Sequence, residues 1–194
     1  MEPTKIVEIC YQDLCLVDTC SSNEDATTNT LLSKLGQAFG SEDECLGILL
    51  VTNLPQHYTA MRERVLTLTH KLGSLSSKDL DAVTVEESLY QVGWSHGKEK
   101  LSNNVNDTAK GSFYFNPLVE ESLLDAVNNR DGEKAQTQGW IDDPAVTTPN
   151  VWPQESLPEL QAAAMEMGQY IIKVGHKIAL LCDLFVSKKV SFII

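Results

Sequence analysis

Asn150-Val151-Trp152-Pro153-Gln154-Glu155-Ser156-Leu157-Pro158-Glu159-Leu160 opens the most regular pattern in this 194-residue chain. Ser156 and Glu159 have the spacing of a capping box, in which a hydroxyl and a carboxylate satisfy the free amides of a helix start. Beyond them Leu160, Ala164, Met167, Ile171, Val174, Ile178, Leu181 and Phe185 recur at alternating steps of four and three. That spacing predicts one apolar stripe along a helix of about seven turns. Its flanks are rich in alanine and poor in charge, which favours packing into a core over a coiled-coil seam. Lys188 and Lys189 follow, where cations suit the negative end of the helix dipole. The remaining residues, Val190-Ser191-Phe192-Ile193-Ile194, are apolar and β-prone.

Working toward the N-terminus, Asp125 to Pro149 is polar and rich in turn residues and predicts a long loop. Phe113-Tyr114-Phe115 reads as a strand, and Tyr90 to Gly97 as a strand or turn. Ser76 to Val83 suits a helical turn. Before it, Tyr58, Met61, Val65, Leu68 and Leu72 mark an amphipathic helix that starts at Pro55 and stops at Gly73, with Arg62, Glu63, Arg64 and Lys71 on its other face. Leu46-Gly47-Ile48-Leu49-Leu50-Val51 predicts a strand buried on both faces. Thr30 to Phe39 predicts a short helix with Leu31, Leu32, Leu35 and Phe39 on one side and Gly40 as its stop. Cys20 to Asn29 reads as a loop, and Ile6 to Tyr11 as a first strand. The expected class is α+β.

Hydrophobic residues make up 42% and charged residues 22%, which places the chain among globular proteins. Lys+Arg number 15 against 27 Asp+Glu, a formal net charge of -12. Without a basic patch, such a chain repels nucleic-acid phosphates and anionic membrane surfaces, so neither is expected as a partner. No stretch approaches the roughly 18 apolar residues of a membrane span, and Met1 to Lys5 shows no secretory pattern. The expected location is cytoplasmic, with Cys10, Cys15, Cys20, Cys45 and Cys182 as reduced thiols. There the sequon Asn106-Asp107-Thr108 is idle.

Direct chemical signals are few. His57, His70, His96 and His176 are not followed two residues on by an acid, and no two are spaced three or four apart. The usual iron and zinc spacings are therefore missing. Of the four, His96 in Trp94-Ser95-His96-Gly97 is the best placed to face a cleft. Cys10, Cys15 and Cys20 are spaced by five, wider than zinc ribbons use, so separate thiols are the simpler reading. Glycine-rich nucleotide cradles and the Gly-x-Ser-x-Gly elbow are absent. Glu120-Glu121 and Asp142-Asp143 are adjacent pairs whose side chains diverge. No catalytic residue and no metal ligand is assigned.

Several segments together resemble the N-terminal half of the isopenicillin N synthase-like, 2-oxoglutarate/Fe(II)-dependent dioxygenases. Ile6-Val7-Glu8-Ile9 with Leu14 resembles the family's first strand, and Gly47-Ile48-Leu49-Leu50-Val51-Thr52-Asn53 its second. Ser112-Phe113-Tyr114-Phe115-Asn116-Pro117 is similar to the strand at which these enzymes contact substrate. Asn150-Val151-Trp152-Pro153, followed by Leu157-Pro158 and a long helix, is the most specific likeness. The resemblance covers roughly residues 5–186. It implies an N-terminal region at 1–154, the long amphipathic helix at 155–187, and a tail at 188–194 that stops before the family's double-stranded β-helix, or jelly roll. By position in that family, Lys110, Tyr114 and Asn116 are the expected substrate-facing residues.

The family holds iron with His-x-Asp and a distal His, and 2-oxoglutarate with Arg-x-Ser. None of these patterns occurs in the 194 residues. The resemblance thus implies an oxygenase-like chain that is inactive as it stands. Fe(II), 2-oxoglutarate and a small-molecule substrate belong to a full-length relative. The alternative is a non-catalytic isoform or interaction protein that pairs with a protein partner through the Leu160–Phe185 stripe. A third reading, a thiol or metal protein built on Cys10, Cys15 and Cys20, is the weakest.

Overall fold

A computed structural model describes residues 5–17, 26–118 and 148–191. It is a mixed α+β structure with two small sheets. In chain order the elements are β1 (Val7–Cys10), α1 (Tyr11–Leu16), α2 (Ala26–Phe39), β2 (Leu49–Thr52), α3 (Gln56–Gly73) and α4 (Ser77–Asp81). A 3-10 turn (Glu86–Ser88), β3 (Gly93–His96), β4 (Gly111–Tyr114) and the long helix α5 (Glu159–Ser191) follow. The expected loop at Asp125 to Pro149 lies outside the described residues except for its last two positions. Cys20 also lies outside them. Among the described residues no helix is long and apolar enough to cross a membrane.

The chain forms two compact units, Met1–Thr59 with Tyr170–Ile194, and Ala60–Gln169. In the first, β1 and β2 pair in parallel, Val7 beside Leu49 and Ile9 beside Val51. Strand alternation turns Ile9 inward, where it is buried with Leu14, Val17, Leu31, Leu32, Leu35 and Leu181. Phe185 joins this cluster. Gly36 gives its ring a seat, since a Cβ there would lie 3.2 Å from Phe185 Cε2. Burial of a side chain such as Leu181 contributes about 1.5–3 kcal/mol.

In the second unit Leu68 and Leu72 of α3 meet Leu157, Leu160 and Ala163. Val65, Leu75, Leu80, Trp94, Phe113 and Trp152 pack around them. β3 and β4 are antiparallel, with Trp94 opposite Phe113. Ser76 caps α4: its Oγ accepts from the Asp79 N–H at 3.2 Å and donates to Asp79 Oδ2 at 2.6 Å. The approach to β3 is tightly wound. Ser88 Oγ donates to the Val85 carbonyl at 2.8 Å and accepts from the Val92 N–H at 3.1 Å. Gly93, at φ +78°, then brings its backbone against Val83.

Several expectations are corrected. Tyr11 starts a helix instead of ending a strand. α2 begins at Ala26, not Thr30, and Ala38 is buried in place of Phe39, which is 43% exposed. The second strand is shorter than the apolar run and open on one face: Leu49 and Val51 pack on the core, while no described element covers Leu50 on the other side. Leu46, Ile48 and Leu50 are each at least half exposed. α5 begins at Glu159, so Ser156 sits in the preceding turn and is not at the helix cap. It also continues past Lys188 and Lys189 to Ser191, so Val190 and Ser191 are helical. The predicted stripe is largely covered inside the chain: Leu160, Ala164 and Leu181 are buried, while Ile171 is 53% exposed.

Candidate functional site

The β3–β4 hairpin gathers two of the three expected substrate-facing residues. Register sets Ser95 opposite Ser112, and Tyr114 closes the pair against Gly93. The loop joining the strands returns on itself through a bridge between Lys100 and Asn106. This return sets Glu99 beside the start of β4. Lys110 Nζ contacts both Glu99 oxygens, at 2.9 and 3.1 Å. Tyr114 Oη donates to Glu99 Oε1 at 3.3 Å. The carboxylate therefore joins the ammonium to the phenol. Its hydrogen bond and charge hold the Lys110 ammonium above the ordinary lysine range, so Lys110 serves as a cation and not as a base.

A similar group lies nearby. Tyr90 Oη donates to Glu86 Oε1 at 3.1 Å, and Lys98 Nζ lies 3.8 Å from the same oxygen. The same ammonium stands 4.6 Å from the Tyr90 ring centroid. Between the two groups Ser95, Gly97, Lys98, Glu99, Asp107 and Lys110 line a shallow depression with essentially no enclosed volume. Small-molecule sites usually enclose about 300–1,000 Å³. This surface does not enclose a substrate, and the Lys110 ammonium and Tyr114 phenol are both engaged by Glu99.

Asn116 is placed elsewhere. The Asn150 side chain brackets its backbone: Oδ1 accepts from the Asn116 N–H and Nδ2 donates to its carbonyl, each at 2.8 Å. The Asn116 side chain itself accepts from the Leu118 N–H at 2.9 Å. Trp152 lies 5.6 Å from Phe113 and 5.3 Å from Phe115 between ring centroids. The segment Asn150-Val151-Trp152-Pro153 thus anchors the exit of β4. His96 is exposed; its Nε2 meets the Thr108 carbonyl at 2.9 Å and its ring stacks on Trp94.

The first unit holds a second polar constellation that the sequence did not signal. Cys10 Sγ donates to Gln12 Oε1 at 2.8 Å, Asn53 Nδ2 donates to Cys10 Sγ at 3.5 Å, and Gln12 Nε2 donates to the Asn53 carbonyl at 3.1 Å. The Asn53 amide, helped by the backbone of Gln12 and Asp13, lowers the Cys10 thiol below its ordinary range. Nearby, Tyr11, His57 and Tyr58 surround the Tyr170 ring at centroid distances of 6.2, 5.2 and 5.7 Å. Tyr170 Oη is buried and makes no hydrogen bond of ordinary geometry. The Tyr170 hydroxyl first, and then the Cys15 thiol, push the Tyr11 phenol above the tyrosine range. These contacts join residues up to 159 positions apart in the chain, and a local motif does not carry that information.

Among the described residues no three His, Cys, Asp or Glu side chains converge on a point where a metal ion would sit. The thiol or metal reading built on Cys10, Cys15 and Cys20 falls in part on Cys20, outside the described residues. No family model, no curated protein and no solved structure matches the chain.

Proposed function

We propose that the chain is the N-terminal portion of a 2-oxoglutarate/Fe(II)-dependent oxygenase-like protein that acts on a small organic molecule. One observation carries the reading: Asn150 and Trp152, from the segment most specific in the resemblance, grip the strand expected to face substrate. Lys110 and Tyr114 are the substrate-facing groups, one offering a cation and the other a phenol. Asn116, whose backbone Asn150 holds on both sides, fixes the exit of that strand.

Within these 194 residues there is no His-x-Asp and no Arg-x-Ser. Fe(II) and 2-oxoglutarate therefore belong to a full-length relative, and this chain alone is inactive. The alternative, a protein partner on the Leu160–Phe185 stripe, has less surface to use than the sequence implied. Leu160, Ala164 and Leu181 are engaged within the chain, and Ile171 is the open position among the eight.

Long-read sequencing of transcripts from the locus tests the proposal. An in-frame or alternatively spliced continuation that encodes His-x-Asp, a distal His and Arg-x-Ser is expected. A locus with no such coding sequence overturns the oxygenase reading. Iron- and 2-oxoglutarate-dependent oxidation by the 194-residue chain itself overturns the inactivity.

A further inference from the structure

Parallel sheets in proteins are almost always covered on both faces. The β1–β2 pair is covered on one. Val7 and Ile9, with Leu49 and Val51, turn toward the core, and Ile9 is fully buried. Glu8 and Leu50 are paired on the outward face. Leu50 is 51% exposed, and Ile6 and Ile48, two residues before Glu8 and Leu50, are 44% and 50% exposed. β2 pairs with no described strand other than β1, so its second edge presents backbone donors and acceptors.

The two sides of this sheet differ in charge. On the β1 side Lys5 precedes the strand, and Lys34 Nζ reaches the Glu8 carbonyl at 2.8 Å. On the β2 side Glu42, Asp43 and Glu44 are all exposed and lead into the apolar run. No Lys or Arg occurs between Lys34 and Arg62. An incoming strand at β2 therefore meets an open ladder, aliphatic side chains on one face and acidic charge at the strand's entry.

We propose that the β2 edge docks an extended basic segment of a partner protein, alternating Lys or Arg with aliphatic residues, as a third strand. Its backbone pairs with Leu49–Thr52, its aliphatic side chains cover Ile48 and Leu50, and its cations lie near Glu42, Asp43 and Glu44. Main-chain pairing supplies affinity in this mode, and alternate side chains supply selectivity. The inference is independent of the oxygenase reading.

The probe is an eight-residue peptide alternating valine and lysine, titrated into the isotope-labelled 194-residue chain. Saturable binding is expected, with amide shifts centred on Leu49–Thr52. Replacing the lysines by glutamate, or N-methylating the peptide amides of one edge, is expected to weaken binding at least tenfold. Leu50→Lys is expected to do the same with an unchanged far-ultraviolet spectrum, and Leu50→Thr to give a smaller loss. Equal binding of the glutamate peptide, shifts centred elsewhere, or no binding at millimolar peptide overturns the proposal. So does a chain that sediments as a dimer and becomes monomeric on Leu50→Lys, because the occupant is then a second copy.

Discussion

Asn150 holds Asn116 by both backbone polar groups, accepting from its N–H and donating to its carbonyl at 2.8 Å each. A side-chain amide here completes the hydrogen bonding that a neighbouring strand would otherwise provide. Asn150→Ala removes both bonds in a partly buried place. A loss of about 1–3 kcal/mol is expected, read as a lower urea midpoint. Asn150→Asp keeps the acceptor but turns an oxygen toward the Asn116 carbonyl. Its destabilisation is expected to grow as pH rises through the carboxylate range, and a pH-independent loss would count against the bracket.

Gly93 is the position least able to carry a side chain. A Cβ there would lie 2.1 Å from the Val83 carbonyl oxygen and 2.8 Å from Val151 Cγ2, at φ +78°. Left-handed backbone costs a non-glycine residue about 1–2 kcal/mol, and overpacking about 1–3 kcal/mol more. Gly93→Ala is expected to lower Tm sharply and to perturb fluorescence from Trp94 in the same strand. A variant as stable as the parent would show that the hairpin approaches Val83 less closely.

Along α5, Leu181 and Ile171 belong to one sequence stripe but have unequal surroundings. Leu181 is 0% exposed and Ile171 53%. Leu181→Ala is expected to cost about 2–5 kcal/mol, and Ile171→Ala about 0.5 kcal/mol or less. Equal losses in chemical denaturation would mean that something outside the described residues covers Ile171.

Lys110 and Glu99 make an exposed pair, so their coupling shows in titration more than in stability. The lysine is raised by the Glu99 hydrogen bond and charge. The favourable linkage is fully present below the ordinary lysine value, 10.5, and is lost as pH rises through the raised value. Nitrogen NMR of Lys110 Nζ should show a midpoint above that of a free lysine. Glu99→Gln should bring it back down, and an unchanged midpoint would refute the pairing.

Cys10 and Cys182 are shifted in opposite directions. The Asn53 amide lowers the first, while burial and then the Asp183 charge raise the second. With iodoacetamide at pH 7.5, peptide mapping should find Cys10 modified several-fold faster than Cys182. Asn53 stands at φ 55°, so Asn53→Gly removes the amide while tolerating the backbone. That variant should slow Cys10 selectively.

The elements set by local rules were legible in the sequence. Tyr58, Met61, Val65, Leu68 and Leu72 line the inner side of α3, because helical periodicity acts over a few residues, whereas the capping box read at Ser156 and Glu159 is not formed at the start of α5. The open face of β2 was not legible. An apolar run states that burial is favourable, but whether a layer packs on each face of the strand is a tertiary property. Of the site, the sequence offered Lys110, Tyr114 and Asn116 as substrate-facing by position in the resembled family alone; Glu99, which joins the first two, has no local signature. The fate of Asn116 depended on Asn150, 34 positions away.

The cluster around Ile9 and Leu14 includes Leu181 and so joins segments far apart along the chain. During synthesis at about 5–20 residues per second, β1 leaves the ribosome roughly ten seconds or more before the helix that completes its core. Through that interval Ile9 and Leu14 lack part of their permanent cover. A newly made chain thus has a built-in window in which chaperones or proteases can reach its N-terminus, and the window closes only when α5 arrives.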